Sequence, residues 1–359
     1  MDHHLFPTVE AMLDPKTLSD LLGEGVIVVS IHPLLTEYNK SGSHLLRVEV
    51  NHGHGPQLIL KKISMATNWL MRATNDDRCR SVTLWTRGLL DLMPPEIDHA
   101  IIACAHDGDN WAILLRDVSD KLLPYTRFSH IDNEFMLEAM AALHATFFES
   151  QLLMDLDLGL CNAGNLYSMF SPQTGQREKG GLDEVPRRIL EGWECVKTVV
   201  PPDVADIILS LLDSPKPLCD ALGRYPQTLI HGDWRHANQG LERTDRRRLI
   251  LLDWQLAAAT PPAVELGRGL ATNSSLLPVS KEEAITSYKQ KLAQRLGQRF
   301  SESWWEPQLA LSLLGGFLQD GWSIALKATH WHVGANAREH WMTDLVWWSD
   351  QVRAGAKWL

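Results

Sequence analysis

The segment from Thr228 to Asp253 constrains this chain most. An apolar strand end, Leu229-Ile230, runs into His231-Gly232-Asp233; Asn238 follows five residues after Asp233, and a second apolar run, Leu249–Leu252, ends at Asp253. Short apolar runs bounded by polar turns read as strands. The pattern therefore presents two carboxylates and one amide on loops at strand ends, and a hairpin between the strands brings them together. Phosphoryl transfer needs such a set: one carboxylate beside the attacking hydroxyl, and hard oxygen ligands for a divalent metal that neutralises the phosphates. Asp233, Asn238 and Asp253 supply it.

The rest of the chain arranges itself around this segment. Gly25–Ile31, Leu45–Val50 and Gln57–Lys62 have strand character, with YNKSGS at 38–43 and NHGHGP at 51–56 as turns. The stretch 75–92 has helical spacing and stops at Pro94-Pro95. A second β-pair, IIACAHD and NWAILLRD, turns at Gly108-Asp109-Asn110. Beyond Asp117 the pattern becomes helical: 132–148, 185–198, 202–212 and almost all of 281–359, with 159–181 reading as a long loop. The expected plan is a small sheet lobe over 1–116, a connector near Leu115–Val118, and a larger, mainly helical lobe over 117–359.

With that order of elements in place, H-G-D-x-x-x-x-N followed by a strand and an Asp resembles the catalytic loop and metal aspartate of the aminoglycoside phosphotransferase and choline kinase-like enzymes. The resemblance spans roughly residues 20–270 and implies an α+β, bilobal protein-kinase-like fold with ATP and Mg2+ in the cleft. It also implies a small-molecule hydroxyl as acceptor: an aminoglycoside-like compound, an amino alcohol or a sugar. Carried over by position, Asp233 orients or deprotonates the hydroxyl, and Asn238 and Asp253 bind magnesium. LILKK resembles the lysine strand, with Lys61 on the α- and β-phosphates; Lys62 beside it competes, because alternation alone does not choose between them. His231 braces the loop, and Arg235 stands where a cation would meet the γ-phosphate.

Three departures from the family pattern stand out. The phosphate-covering loop offers Ser41, Gly42 and Ser43 in place of a glycine-rich run, so N–H and hydroxyl groups would meet the phosphates. The helix after the lysine strand usually provides a glutamate, often after an arginine, but this chain has Arg80-Ser81, leaving Asp76 or Asp77 as substitutes. The stabilising aspartate expected past the metal ligand appears as Glu265. Two rival functions follow: a nucleotide-binding regulator without turnover, and a metal-dependent hydrolase built on His231, Asp233 and Asp253.

Composition bears on partners. With 34 Lys+Arg against 44 Asp+Glu, the formal charge of −10 opposes binding to a phosphate backbone. The five cysteines are scattered without a C-x-x-C pair, which favours a reducing compartment and disfavours structural zinc. The N-terminus has no basic and apolar leader pattern, and the longest apolar run, Leu309–Leu318, is about half a membrane span. A cytoplasmic protein with no nucleic-acid or membrane partner is expected. Of the 14 Trp, 11 lie after residue 190, where packing is expected to outweigh ligand contact. Asp320, Asp344 and Asp350 among them read either as amine-binding groups or as exposed helix charges. The triple arginine 246–248 reads as a solvated turn, and His330 and His332 would point about 200° apart on a helix, which disfavours a metal pair.

Overall fold

The computed structural model describes residues 3–34, 43–244, 246–330 and 337–359. The small lobe is built on six strands: β1 (Leu5–Phe6), β2 (Val29–Pro33), β3 (His44–Val50), β4 (Leu58–Ile63), then, after β5 (Ile97–His99) of a different sheet, β6 (Ile101–Asp107) and β7 (Asn110–Arg116). Their spatial order is β1-β6-β7-β4-β3-β2. All neighbours are antiparallel except β1 and β6. The fold is α+β, as expected, and the long β4 to β7 pairing carries Lys61 opposite Ile113 in its centre.

The large lobe contributes β8 (Thr228–Ile230), β9 (Gln239–Glu242), β10 (Arg248–Leu251) and β11 (Ala258–Thr260). β9 and β10 form the anticipated hairpin, with Leu249 opposite Leu241, and β8 pairs with β11. β5 runs parallel to β10, Ile97 facing Leu249. A piece of chain preceding β6 thus belongs to the sheet that carries the β9–β10 hairpin. Arg248, from the triple arginine, ties this junction: it donates to the Ile97 carbonyl at 2.9 Å and pairs with Asp98 at 3.2 Å, while Arg247 pairs with Asp132. Arg247 and Arg248 are therefore structural ties rather than part of a solvated turn, while Arg246 is exposed.

Helices of the large lobe occupy His130–Phe147, Val185–Val199, Pro202–Asp213, Ala263–Thr272, Lys281–Leu296, Glu302–Thr329 and Ala337–Ala356. The helix Glu302–Thr329 is long and apolar enough to cross a membrane, yet 89% of its most apolar window is buried inside the fold. It packs tightly on Ala263–Thr272, because a Cβ on Gly267 would lie 2.4 Å from the Ser312 carbonyl oxygen and one on Gly316 would lie 2.6 Å from that of Gly267. Bulkier residues there would force the helices apart. Trp193, Trp254, Trp305 and Trp348 are among the largest fully buried side chains, so much of the Trp excess is core.

Three local expectations need correction. The stretch 159–181 is not a loop: it holds short helices at Ala163–Ser168 and Pro172–Glu178. The residues that read as loop formers are caps, Asn162 accepting from the Gly164 N–H and Ser171 from the Thr174 N–H ahead of a first-turn proline. The strand expected over Gly25–Ile31 is β2 and starts at Val29, since the Asn51 side chain accepts from the Ile27 N–H at 2.8 Å and donates to the Gly25 carbonyl at 2.8 Å. The backbone groups that would have paired with a neighbouring strand are engaged by a side chain. The helix over 75–92 is confined to Arg80–Thr86, ending before Gly88 at φ +67° and a single turn at Leu89–Leu92.

Candidate active site

The segment His231–Asn238 folds as a sharp turn between β8 and a short helical turn, His236–Asn238. Gly232 has φ +84°, and a Cβ there would lie 2.2 Å from the Leu256 carbonyl oxygen, so only glycine fits. Glu265, fully buried on the helix Ala263–Thr272, accepts from the His231 N–H at 2.6 Å and the Gly232 N–H at 2.9 Å. The glutamate that stands in for the expected aspartate therefore reaches the loop it has to hold. Behind it, His144 lies 3.7 Å away and shares a hydrogen bond of 2.5 Å with Tyr288.

His231 is fully buried; its Nε2 lies 2.9 Å from the Leu252 carbonyl oxygen and its Nδ1 accepts from the Asp233 N–H at 3.3 Å. Both ring nitrogens are thus engaged, and the ring spans from the catalytic loop to the residue before Asp253.

Asp233 is buried among cations. Arg235 Nε lies 3.0 Å from its Oδ2 and an Arg268 Nη lies 3.1 Å from its Oδ1, while the Asn238 amide donates to Oδ2 at 2.8 Å. Burial pushes the carboxyl up, but Arg235 and Arg268 outweigh it and hold it down to about 2. Arg268 in turn pairs with Asp320 at 3.3 Å on the long helix. Asp320 is buried, as is Asp344, which pairs with Lys281, so neither is an exposed helix charge. Asp350 is exposed and pairs with Arg353 at 3.2 Å. Sequence reasoning did not find Arg268: a lone arginine on an apolar helix has no local signal, and only the close approach at Gly267 and Gly316 sets Arg268 beside Asp320.

Across the cleft, Lys61 Nζ lies 3.1 Å from Asp253 Oδ2, and Lys62 turns to the opposite face to meet Asp107 at 3.0 Å. Alternation placed the two lysines on opposite faces, and the sheet's packing decides which face meets the cleft. Asp76 does not pair with Lys61; it holds Arg80, as described below. Asp253 adopts φ +66° and ψ +67°, a left-handed conformation that costs a non-glycine residue about 1–2 kcal/mol and is sustained by its surroundings. Ser43 is buried beside the start of β3, and Ser41 and Gly42 lie outside the described residues.

These residues fit a divalent cation. Asp253 Oδ1 is shielded from solvent and has no hydrogen-bond partner among the described residues, an arrangement costly for a carboxylate unless a cation takes the oxygen. Asn238 uses its amide N–H on Asp233, which leaves its carbonyl oxygen as the group to offer. No cluster of three His, Cys, Asp or Glu suited to a metal occurs among the described residues.

No protein-family model matches the sequence, and no curated protein matches it. Solved structures do. An ethanolamine kinase of Plasmodium vivax superposes with a TM-score of 0.51 at 10% identity, covering 90% of this chain and 82% of the other. The chain has the bilobal, protein-kinase-like fold of small-molecule kinases. A choline kinase of Streptococcus pneumoniae aligns with a TM-score of 0.47 at 13% identity, over 93% of this chain and 96% of its own. The fold expected from the catalytic segment is the one found, at an identity far too low for residue-by-residue transfer.

Proposed function

We propose that this chain is a magnesium-dependent small-molecule kinase that transfers the γ-phosphoryl group of ATP to a hydroxyl of an amino-alcohol, aminoglycoside-like or sugar acceptor. The observation that carries this reading is the meeting of Lys61 from the small lobe with Asp253 of the large lobe, with Asn238 and Asp233 beside them and Asp253 Oδ1 left without a partner. The fold supports it, since a structural neighbour of this fold is an ethanolamine kinase.

In this reading Lys61 holds the α- and β-phosphates, and Ser41, Gly42 and Ser43 line the phosphate loop. Asp253 and Asn238 would hold Mg2+, which supplies charge neutralisation to the phosphates when bound. Asp233, fully ionised, accepts a hydrogen bond from the acceptor hydroxyl and aims its oxygen at phosphorus. Arg235, with a side chain 44% exposed and anchored to Asp233, can swing its guanidinium to the transferring group. His231 and Glu265 keep the loop in place.

A hydrolase with His231 as metal ligand is disfavoured because both ring nitrogens are already engaged. The test is ADP release against a panel of choline-like amines, aminoglycosides, macrolides and sugars. Acceptor-stimulated, Mg2+-dependent ADP release that vanishes in Asp233→Ala is expected. ATP binding with no transfer to any acceptor would favour the regulator, and phosphate release without acceptor and independent of Lys61 would favour the hydrolase.

A further inference from the structure

The helix Arg80–Thr86 follows the lysine strand in the small lobe and contains no carboxylate. Instead, Arg80 is buried, 2% exposed, and crosses from the small lobe to the large. Its Nε donates to the Gly159 carbonyl at 2.6 Å, and its Nη1 donates to the carbonyl of Gln255, two residues past Asp253. Asp76, equally buried, holds it from behind: Oδ1 accepts from the Arg80 backbone N–H at 2.7 Å, and Oδ2 lies 3.8 Å from Nη1.

Gln255 sits in the short turn Trp254–Leu256 that begins at Asp253. Asp253 caps that turn in a left-handed backbone conformation, so the orientation of the turn sets where its carboxylate points. A planar guanidinium directs donors at two carbonyls in fixed directions, which a lysine ammonium at the same place does not reproduce.

We propose that Arg80 is a positioning residue for the metal-binding aspartate. It fastens the small-lobe helix to the turn after Asp253, so the helix acts on the metal site directly rather than by way of Lys61. The missing helix glutamate is then not a defect: Lys61 takes Asp253 as its partner, and the helix keeps Asp253 in place through Arg80. This rests on the phosphotransferase reading above.

The experiment uses the full chain and Mn2+ as a spin probe. Free Mn2+ is counted by electron paramagnetic resonance in the presence of ADP, and ADP affinity is measured separately by calorimetry in EDTA. In Arg80→Lys, which keeps the charge and loses the fork, the Mn2+ dissociation constant should rise about tenfold while metal-free ADP affinity changes by less than about twofold, the effect expected of an outer partner of a metal ligand. Asp76→Asn, which removes the carboxylate paired with Arg80 at 3.8 Å and leaves Arg80 itself in place, should move Mn2+ affinity in the same direction by a smaller factor, about threefold, and it decides the matter if Arg80→Lys fails to fold. Unchanged Mn2+ affinity in a folded variant overturns the inference, and so does an equal weakening of metal-free ADP binding, which would mark a general loosening of the cleft. If the wild-type chain itself binds no Mn2+ with ADP, the phosphotransferase reading falls, and Arg80 with it; if only the variants behave as wild type, Arg80 alone falls.

Discussion

Glu265 offers a sharp quantitative test of how the catalytic loop is held. Both carboxylate oxygens accept backbone N–H groups, His231 at 2.6 Å and Gly232 at 2.9 Å, in a fully buried site. Glu265→Gln keeps the shape but turns one acceptor into a donor facing a donor, and makes the surviving bond neutral. Hydrogen bonds to a charged group contribute about 1.5–3 kcal/mol against about 1 for neutral ones, and an unsatisfied buried N–H costs about 1–3 kcal/mol. The amide avoids the desolvation cost of the carboxylate, which trims the net loss to about 2 kcal/mol. For a chain of 359 residues, with an unfolding entropy of about 2.1 cal/mol/K per residue, this lowers the melting temperature by about 3 °C. Because Asp233 is the next residue on the loop, kcat should fall about tenfold or more, as small displacements of a positioned group cost that much. Differential scanning calorimetry and steady-state ADP release are the assays. A melting temperature unchanged to about 1 °C, with unchanged kcat, would refute the view that Glu265 holds the loop.

Other outcomes follow from the same geometry. Asp233→Ala should lower kcat by about 10²–10⁴-fold, and retained turnover would remove Asp233 from the chemistry. Lys61→Met should raise the KM for ATP, whereas Lys62→Met, which loses only its partner Asp107, should leave it near wild type; the reverse pattern would reassign the phosphate lysine. The Asp233 carboxyl, lowered from 3.8 to about 2 chiefly against burial by Arg235 and Arg268, contributes stability that is present above its unfolded value and lost as pH falls through about 2. That gap is worth about 2 kcal/mol, so urea unfolding of Asp233→Asn should show a flatter acid limb than wild type. Arg268→Met should raise the Asp233 pKa and move the acid limb of kcat/KM to higher pH; an unmoved limb would show that Arg268 does not act on Asp233. Gly232→Ala places a Cβ 2.2 Å from the Leu256 carbonyl oxygen and should yield folded but inactive protein at best, read by circular dichroism and ADP release together.

Much of the site is legible in the primary sequence because its members lie close along the chain. Asp233 and Asn238 share one turn, and a single hairpin brings Asp253 to them; strand periodicity places Lys61 and Lys62 on opposite faces. Legibility fails where a partner comes from a distant element. Arg268 and Asp320 are 52 residues apart and meet through helix packing, and Asp76 and Arg80 gain meaning only from the carbonyls of Gly159 and Gln255. It fails too where polar residues that resemble loop formers serve as caps, as Asn162 and Ser171 do, since a cap and a turn use the same side-chain chemistry.

The α+β class, the sheet-then-helix order and the nearness of Asp233, Asn238 and Asp253 can be read along the chain, because strand and turn patterns and short spacings are local properties. Which lysine enters the cleft, and that Asp253 is its partner, was set by the packing of distant elements. That packing also decided that Asp320 and Asp344 are buried in ion pairs, and that Arg80 reaches the carbonyls of Gly159 and Gln255. Those choices are made by which faces of the sheet and of the long helices are buried against one another, and burial is a property of the whole packed chain.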